Sequence, residues 1–205
     1  MIVSDNYNPK IFDASTMQEA MRIVLSPDYE VTTEQRWLKE TPYLMDLMES
    51  LKLNHKSVVL DYGCGVGRLS RALIDRYLCR VVGVDISASM RALASSYVNS
   101  PRFLACHPRM LKTLGLKFDA AIGIWVFQHC LDPSDDIATI RKNLKDAAKL
   151  FVVNERTRFV PTTTALWIDD GVDVLSLLGN GESGSLDMNF VTKTAAQRDA
   201  YWWVG

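Results

Sequence analysis

Residues 58–73, VVLDYGCGVGRLSRAL, pass from an apolar strand signal through glycines 63, 65 and 67 straight into an amphipathic helix. Glycine lacks a Cβ, so it permits positive φ in a tight turn and lets a helix or a ligand approach the backbone closely. In an α/β sheet such a turn lies at the C-terminal edge of the strands, where ligands bind. The flanking sequence extends the pattern. Val58–Asp61, Val81–Asp85, Phe103–Cys106, Asp119–Ile124 and Leu150–Asn154 read as strands, separated by helical patterns at about 67–77, 88–97 and 134–146. VVL, VVGV, AAIGI and LFVV are continuous apolar runs, as expected of strands buried on both faces. A short helix around Val172–Leu178 and the segment GNGESG lead to two last strand candidates, Ser185–Val191 and Ala200–Val204. The expected fold is a doubly wound, mostly parallel seven-stranded α/β sheet.

Upstream, residues 1–31 are weakly periodic, with short helical pieces and loops expected. Thr32 with Gln35 forms a capping-box pattern, and Thr41-Pro42 offers an N-cap followed by proline at the first helical position. Helices are therefore predicted at about 33–40 and 42–52. In the second, Leu44, Leu47, Met48 and Leu51 share one face. Residues 1–54 are expected to cap an α/β core at 55–205, the whole forming one domain.

Composition narrows the function. With 23 Lys plus Arg against 24 Asp plus Glu, no global positive field exists to hold a polyanion, so a nucleic-acid partner is disfavoured. The cysteines at 64, 79, 106 and 130 form no CxxC pair and only three histidines accompany them, so no metal site is expected. No apolar run approaches the roughly 18 residues that span a bilayer, and the N-terminus lacks the pattern of a signal peptide. A cytoplasmic protein without a membrane partner is expected.

Asp85 ends the second strand, 18 residues after Gly67, where a carboxylate can accept hydrogen bonds from both hydroxyls of a ribose. Capping of the next helix is the alternative, although Ser87 already suits that role. The loop reads GxGxG with Asp61 two residues ahead of it, rather than the GxGxxG that seats a pyrophosphate. Asp61 would repel a dinucleotide phosphate but can face the ammonium of an amino acid, directly or through water.

DYGCGVG followed by VVGVDIS resembles the first two motifs of the class I S-adenosylmethionine-dependent methyltransferases, and the likeness continues into FDAAIGIWVFQHCLDP, spanning roughly residues 55–154. The resemblance implies a Rossmann-like methyltransferase fold with S-adenosylmethionine as cofactor. It further implies that Asp61, Gly63, Cys64 and Gly65 line the methionine part, and that Asp85 holds the ribose with Ile86 and Met90 against the adenine. His107 stands where many members carry an acid that meets the adenine amino group, and a neutral imidazole nitrogen can accept the same bond. The turn at Lys145–Ala148 also departs from the family's usual glycine-rich form.

Methyl transfer from a sulfonium chiefly requires alignment of a nucleophile, and no metal is needed. After the fourth strand, Trp125 offers an aromatic wall for the cofactor and His129 is the candidate general base, with a capping or core-edge histidine as its alternative. Arg36 and Trp37, in the N-terminal helices, are candidates to lie over the cofactor, Arg36 on its carboxylate. A small-molecule acceptor is expected. A noncatalytic binding protein and a nicotinamide-dependent oxidoreductase are the competing readings, the second disfavoured by Asp61 and the glycine spacing.

Overall fold

The computed structural model describes residues 6–27, 31–187 and 199–205. Its centre is a seven-stranded sheet in the order β3-β2-β1-β4-β5-β9-β8. The strands are β1 (Val58–Tyr62), β2 (Arg80–Val84), β3 (Phe103–Cys106), β4 (Phe118–Ile124), β5 (Leu144–Glu155), β8 (Glu182–Ser185) and β9 (Ala200–Val204). β9 alone runs antiparallel to its neighbours. The helices are α1 (Met17–Val24), α2 (Thr33–Leu47), α3 (Arg68–Tyr77), α4 (Ala88–Val98), α5 (Pro133–Asn143) and α6 (Val174–Leu178).

Alternation along each strand sends successive side chains to opposite faces. Val59, Val81, Ile122 and Val153 pack with Leu44, Met48, Leu69 and Leu73 of the α2 and α3 side. Leu60, Val82, Ala121 and Val152 pack with Ile137, Ile140, Val174 and Leu178 of α5 and α6. Burial on both faces is why these strands are uniformly apolar. The same parity sends Asp61 toward α3 and Tyr62 toward α5.

Four segments depart from the expected boundaries. α2 continues through Pro42 as one helix instead of two and ends at Leu47, followed by a 3-10 turn at Met48–Leu51. Proline frees the carbonyl four residues earlier, and Leu38 lies there on the solvent side, 76% exposed, where water can serve it. α5 stops at Asn143, and Lys145–Ala148 lies within β5 as an irregular stretch: the register jumps from Phe118↔Leu144 to Ala120↔Lys149, and Ala147 has φ +61°. Lys145 reaches Asp119 at 2.7 Å, which ties this stretch to β4.

The sixth sheet strand is Glu182–Ser185, which starts within the GNGESG segment, three residues before the predicted strand, while positions 188–191 of that prediction lie outside the described residues. It pairs through its main chain with β9, and Gly184 leaves room for the Trp202 ring, whose Nε1 would come 2.8 Å from a Cβ there. A two-stranded ribbon, β6 (Val160–Pro161) with β7 (Trp167–Ile168), occupies a stretch that carried no strand signal.

Residues 6–27 run as a strap over the C-terminal edge of the sheet. The Asn8 N–H donates to the Pro161 carbonyl at 3.0 Å and the Thr163 N–H to that of Asn6 at 2.8 Å. Further along, Ser87 Oγ donates to Asp13 at 2.6 Å and the Ala14 N–H donates to Ser89 Oγ at 2.9 Å. α1 follows, started by a capping box between Thr16 and Glu19.

Candidate active site

A cavity of about 970 Å³ opens between the strap and the ends of β1, β2 and β4. Gly63, Gly65, Asp85, Ile86, Met90 and His107 line one half of it. Asp85 is clasped from two sides: Oδ2 accepts from the Gly65 N–H and Oδ1 from the Ser87 N–H, both at 2.9 Å. Burial raises its pKa. A carboxylate has about four lone-pair sites, so two remain for a ligand. Ser87 caps α4 through its own side chain, so Asp85 is not the cap.

Ile86 is 40% exposed toward the cavity, whereas Met90 is buried among Ala14, Ala20 and Val66 and presents only part of its surface. His107 Nδ1 accepts from the Arg109 N–H at 3.2 Å, and burial lowers its pKa, which keeps the ring neutral. Gly65 has φ +52°, and a Cβ there would lie 2.6 Å from Val24 of α1. The space beside this glycine is thus taken by the strap, not left open for a ligand as the sequence suggested.

Beneath the loop lies a buried group of charges. Arg36 and Arg68 share Glu40, at 3.0 and 3.4 Å, and Trp125 Nε1 donates to the same carboxylate at 2.9 Å. Arg36 also donates to the Ser26 carbonyl at 2.7 Å. Asp61 accepts from Ser70 Oγ at 2.6 Å, and burial pushes its pKa up to about 6. Asp61 and Cys64 do not face the main cavity. They line a side pocket of about 30 Å³ with Gly63, Arg68 and Trp125, room for one or two waters. Contact between Asp61 and a ligand in the main cavity would therefore run through water.

Trp37 lies outside the cavity. Its Nε1 meets Tyr97 at 3.2 Å and its ring stacks under Arg68, so it fastens α2 to α4 and does not cover a ligand. Trp125 lines both spaces at φ +57°, a left-handed conformation that costs an L-residue about 1–3 kcal/mol and is held by its bond to Glu40.

The far half of the cavity was not legible in the sequence, apart from His129. Tyr7, Phe12, Phe159 and Trp167 gather there with His129. His129 Nδ1 lies 2.7 Å from the Phe159 carbonyl, which requires the proton on Nδ1. Nε2 then carries the one lone pair, 3.3 Å from the Gln128 amide nitrogen, and Gln128 Oε1 is itself held by the Glu155 N–H at 2.9 Å. Burial lowers the pKa of His129. Behind it, Arg158 ties the Phe127 and Cys130 carbonyls to Asp170, fixing the turn after β4. Tyr62 donates to Asp136 at 2.5 Å on the same wall.

These residues fit S-adenosylmethionine. Arg36 Nε and Arg68 Nε are buried without a hydrogen-bond partner, and two guanidinium groups share one glutamate. Unmatched buried donors with surplus positive charge suit the carboxylate of an amino-acid moiety. Asp85 keeps lone pairs that would suit ribose hydroxyls, and Ile86 and His107 would offer an apolar contact and an acceptor to a base.

Comparison with known proteins agrees. A methyltransferase-domain family model matches residues 60–152. The N-demethylindolmycin N-methyltransferase of Streptomyces griseus is 34% identical over 102 residues, which cover 47% of this chain and 43% of the relative, so the chain spans under half of that protein's length. Among solved structures, a chain of the complex between the Haloferax volcanii Trm112 methyltransferase activator and its putative methyltransferase superposes with a TM-score of 0.65 over 98% of both chains at 15% identity. The [4+2]-cyclase SpnF superposes with a TM-score of 0.64 over 79% of both at 17% identity. At these identities the structures speak for the fold alone, and SpnF's name shows that the fold serves more than one chemistry. No described helix is long and apolar enough to cross a membrane. The sheet order, the DYGCGVG loop and the methyltransferase-domain match over residues 60–152 together support a class I S-adenosylmethionine-dependent methyltransferase, with S-adenosylmethionine as cofactor.

Proposed function

We propose that the protein transfers a methyl group from S-adenosylmethionine to a nitrogen of a small-molecule acceptor. The observation that carries this reading is the extent of the cavity: about 970 Å³ reaches from the glycine loop to the aromatic end, near the upper limit for small-molecule sites, with room for a second ligand beyond the cofactor residues. Nitrogen as the receiving atom is carried over from the Streptomyces griseus relative. Four free cysteines suit a reducing cytoplasm, and the near-neutral charge suits a small acceptor over a polyanion. In this reading residues 6–54 act as the cap of a single α/β domain.

When bound, S-adenosylmethionine supplies an activated methyl group on a sulfonium. The chain's own residues bind and align. Asp85 holds hydroxyls, Arg36 holds a carboxylate with the charge of Arg68 behind it, and the strap excludes water. Orientation of this kind is worth about 7–11 kcal/mol, more than the roughly 10²- to 10⁴-fold a general base supplies. His129 is assigned an orienting role rather than that of a base: its neutral ring could accept a proton, but its one lone pair, on Nε2, already faces the Gln128 amide. The test is incubation with methyl-labelled S-adenosylmethionine and a panel of primary and secondary amines, read by mass spectrometry. A labelled, N-methylated product is expected. Tight S-adenosylhomocysteine binding with no product from any nitrogen, oxygen or carbon acceptor would favour a binding protein.

A further inference from the structure

The far half of the cavity carries aromatic rings that the hydrophobic core does not use. Phe12 comes from the strap, His129 from the turn after β4, Phe159 from the segment between β5 and β6, and Trp167 from the ribbon. The His129 ring centre lies 5.5 Å from Phe12, 5.2 Å from Trp167 and 6.5 Å from Phe159, and Phe12 lies 6.3 Å from Trp167. The interplanar angles run from 42° to 55°, so the rings form a tilted wall and not a stack. Phe12, Phe159 and Trp167 belong to none of the three core clusters, and Trp167 keeps 38% of its surface exposed.

Large rings normally supply core burial, about 150–250 Å² each. Four rings drawn from positions 12, 129, 159 and 167 and spent on a cavity wall imply a ligand surface that matches them. The four rings themselves carry no net charge, although the carboxylates Asp136, bonded to Tyr62, and Glu155 also line the cavity. The histidine is neutral, and the buried Arg158 behind it is paired with Asp170. Tyr7 completes the edge, donating from its hydroxyl to the His129 carbonyl at 3.3 Å.

We infer that the acceptor carries a planar aromatic or heteroaromatic ring seated on Phe12, His129, Phe159 and Trp167. This rests on the methyltransferase reading above and adds the chemical class of its acceptor. Phe12 and Trp167 act as specificity-determining residues. Because Phe12 belongs to the strap, the segment that covers the cavity also contributes to acceptor recognition.

The experiment titrates indole, as a neutral ring probe, into protein saturated with S-adenosylhomocysteine, using ligand-observed NMR. Tetramethylammonium serves as the cationic probe, and S-adenosylhomocysteine affinity is measured separately by calorimetry. Phe12→Ala and Trp167→Ala are compared with the parent; both residues lie outside the core, so either variant can report if the other misfolds. Expected are indole binding by the parent, a loss of about threefold to tenfold in each variant, and S-adenosylhomocysteine affinity unchanged within twofold. Intact S-adenosylhomocysteine binding with no indole binding, or with equal indole binding by both variants, overturns the inference. Preferential binding of tetramethylammonium replaces it with a cationic acceptor. Failure of S-adenosylhomocysteine to bind the parent overturns the methyltransferase reading itself, and the acceptor class falls with it.

Discussion

At the glycine-loop end of the cavity the polar side chains are bound to the protein itself: Asp85 to two backbone N–H groups, Glu40 to two arginines and a tryptophan, Asp61 to Ser70. At the opposite end rings touch rings, and the hydrogen bonds run mostly to backbone carbonyls behind them. The first end draws most of its groups from the ends of consecutive βα units; the second gathers residues 7, 12, 129, 159 and 167 from strap, turn and ribbon. A fixed cofactor rewards a preorganised charged frame, whereas a variable partner is matched by shape from segments that can change without disturbing the sheet.

The largest expected effect breaks the charged end. Glu40→Gln leaves Arg36 and Arg68 sharing no carboxylate in a buried setting, and removing one partner of a buried pair costs about 3–5 kcal/mol. The thermal midpoint in calorimetry should fall by about 10 °C for a chain of this size. A midpoint unchanged within a degree or two would show that the cluster is solvated and the contrast between the two ends is overstated.

Asp85→Ala comes next. Hydrogen bonds to a charged acceptor are worth about 1.5–3 kcal/mol, so S-adenosylhomocysteine affinity should drop about ten- to a hundredfold by calorimetry. Equal affinity in the variant would reduce Asp85 to a clasp for the loop.

Asp61 sharpens the comparison through pH. Its carboxyl, raised to about 6 by burial, is ionised above that pH and neutral below it. An ammonium-bearing ligand favours the ionised form, so affinity should be flat from pH 8 to about 6 and then weaken by up to about tenfold per unit as pH falls. Asp61→Asn should remove the bend. A bend that survives in the variant assigns the titration to another group.

The smallest effect is expected at the aromatic end. His129→Asn should slow turnover only a few-fold and leave the rate profile between pH 6.5 and 8 unchanged, since the ring is already neutral there. A fall of about 10²-fold, with loss of an acidic limb, would restore His129 as the general base.

How much was readable in advance follows the same division. Strands buried on both faces and a glycine loop leave contiguous signals, so β1 to β4, α3, α4 and Asp85 were legible from residues 58–124. Arg36 was found, but its partner was missed, although Glu40 stands four residues on, the spacing of neighbours on a helix. Pro42 misled because proline stops a helix only where the freed carbonyl has no other partner. Glu182–Ser185 misled because an edge strand paired through its main chain needs little apolar content. Phe12, Phe159 and Trp167 had no local signal at all: each is one aromatic in irregular sequence, and only tertiary folding makes them neighbours.

The strap has a kinetic consequence. It is tied to the ribbon by two backbone hydrogen bonds and to the β2–α4 turn by two more, and α1 behind it presses Val24 onto Gly65. At about 0.5–1.5 kcal/mol each, four such bonds favour the closed form by about 2–6 kcal/mol and leave the open form at a few per cent of molecules or fewer. Ligand entry is slowed by that fraction while the closed complex is unaffected, so association falls well below the diffusion limit and both products wait for the same opening before they leave.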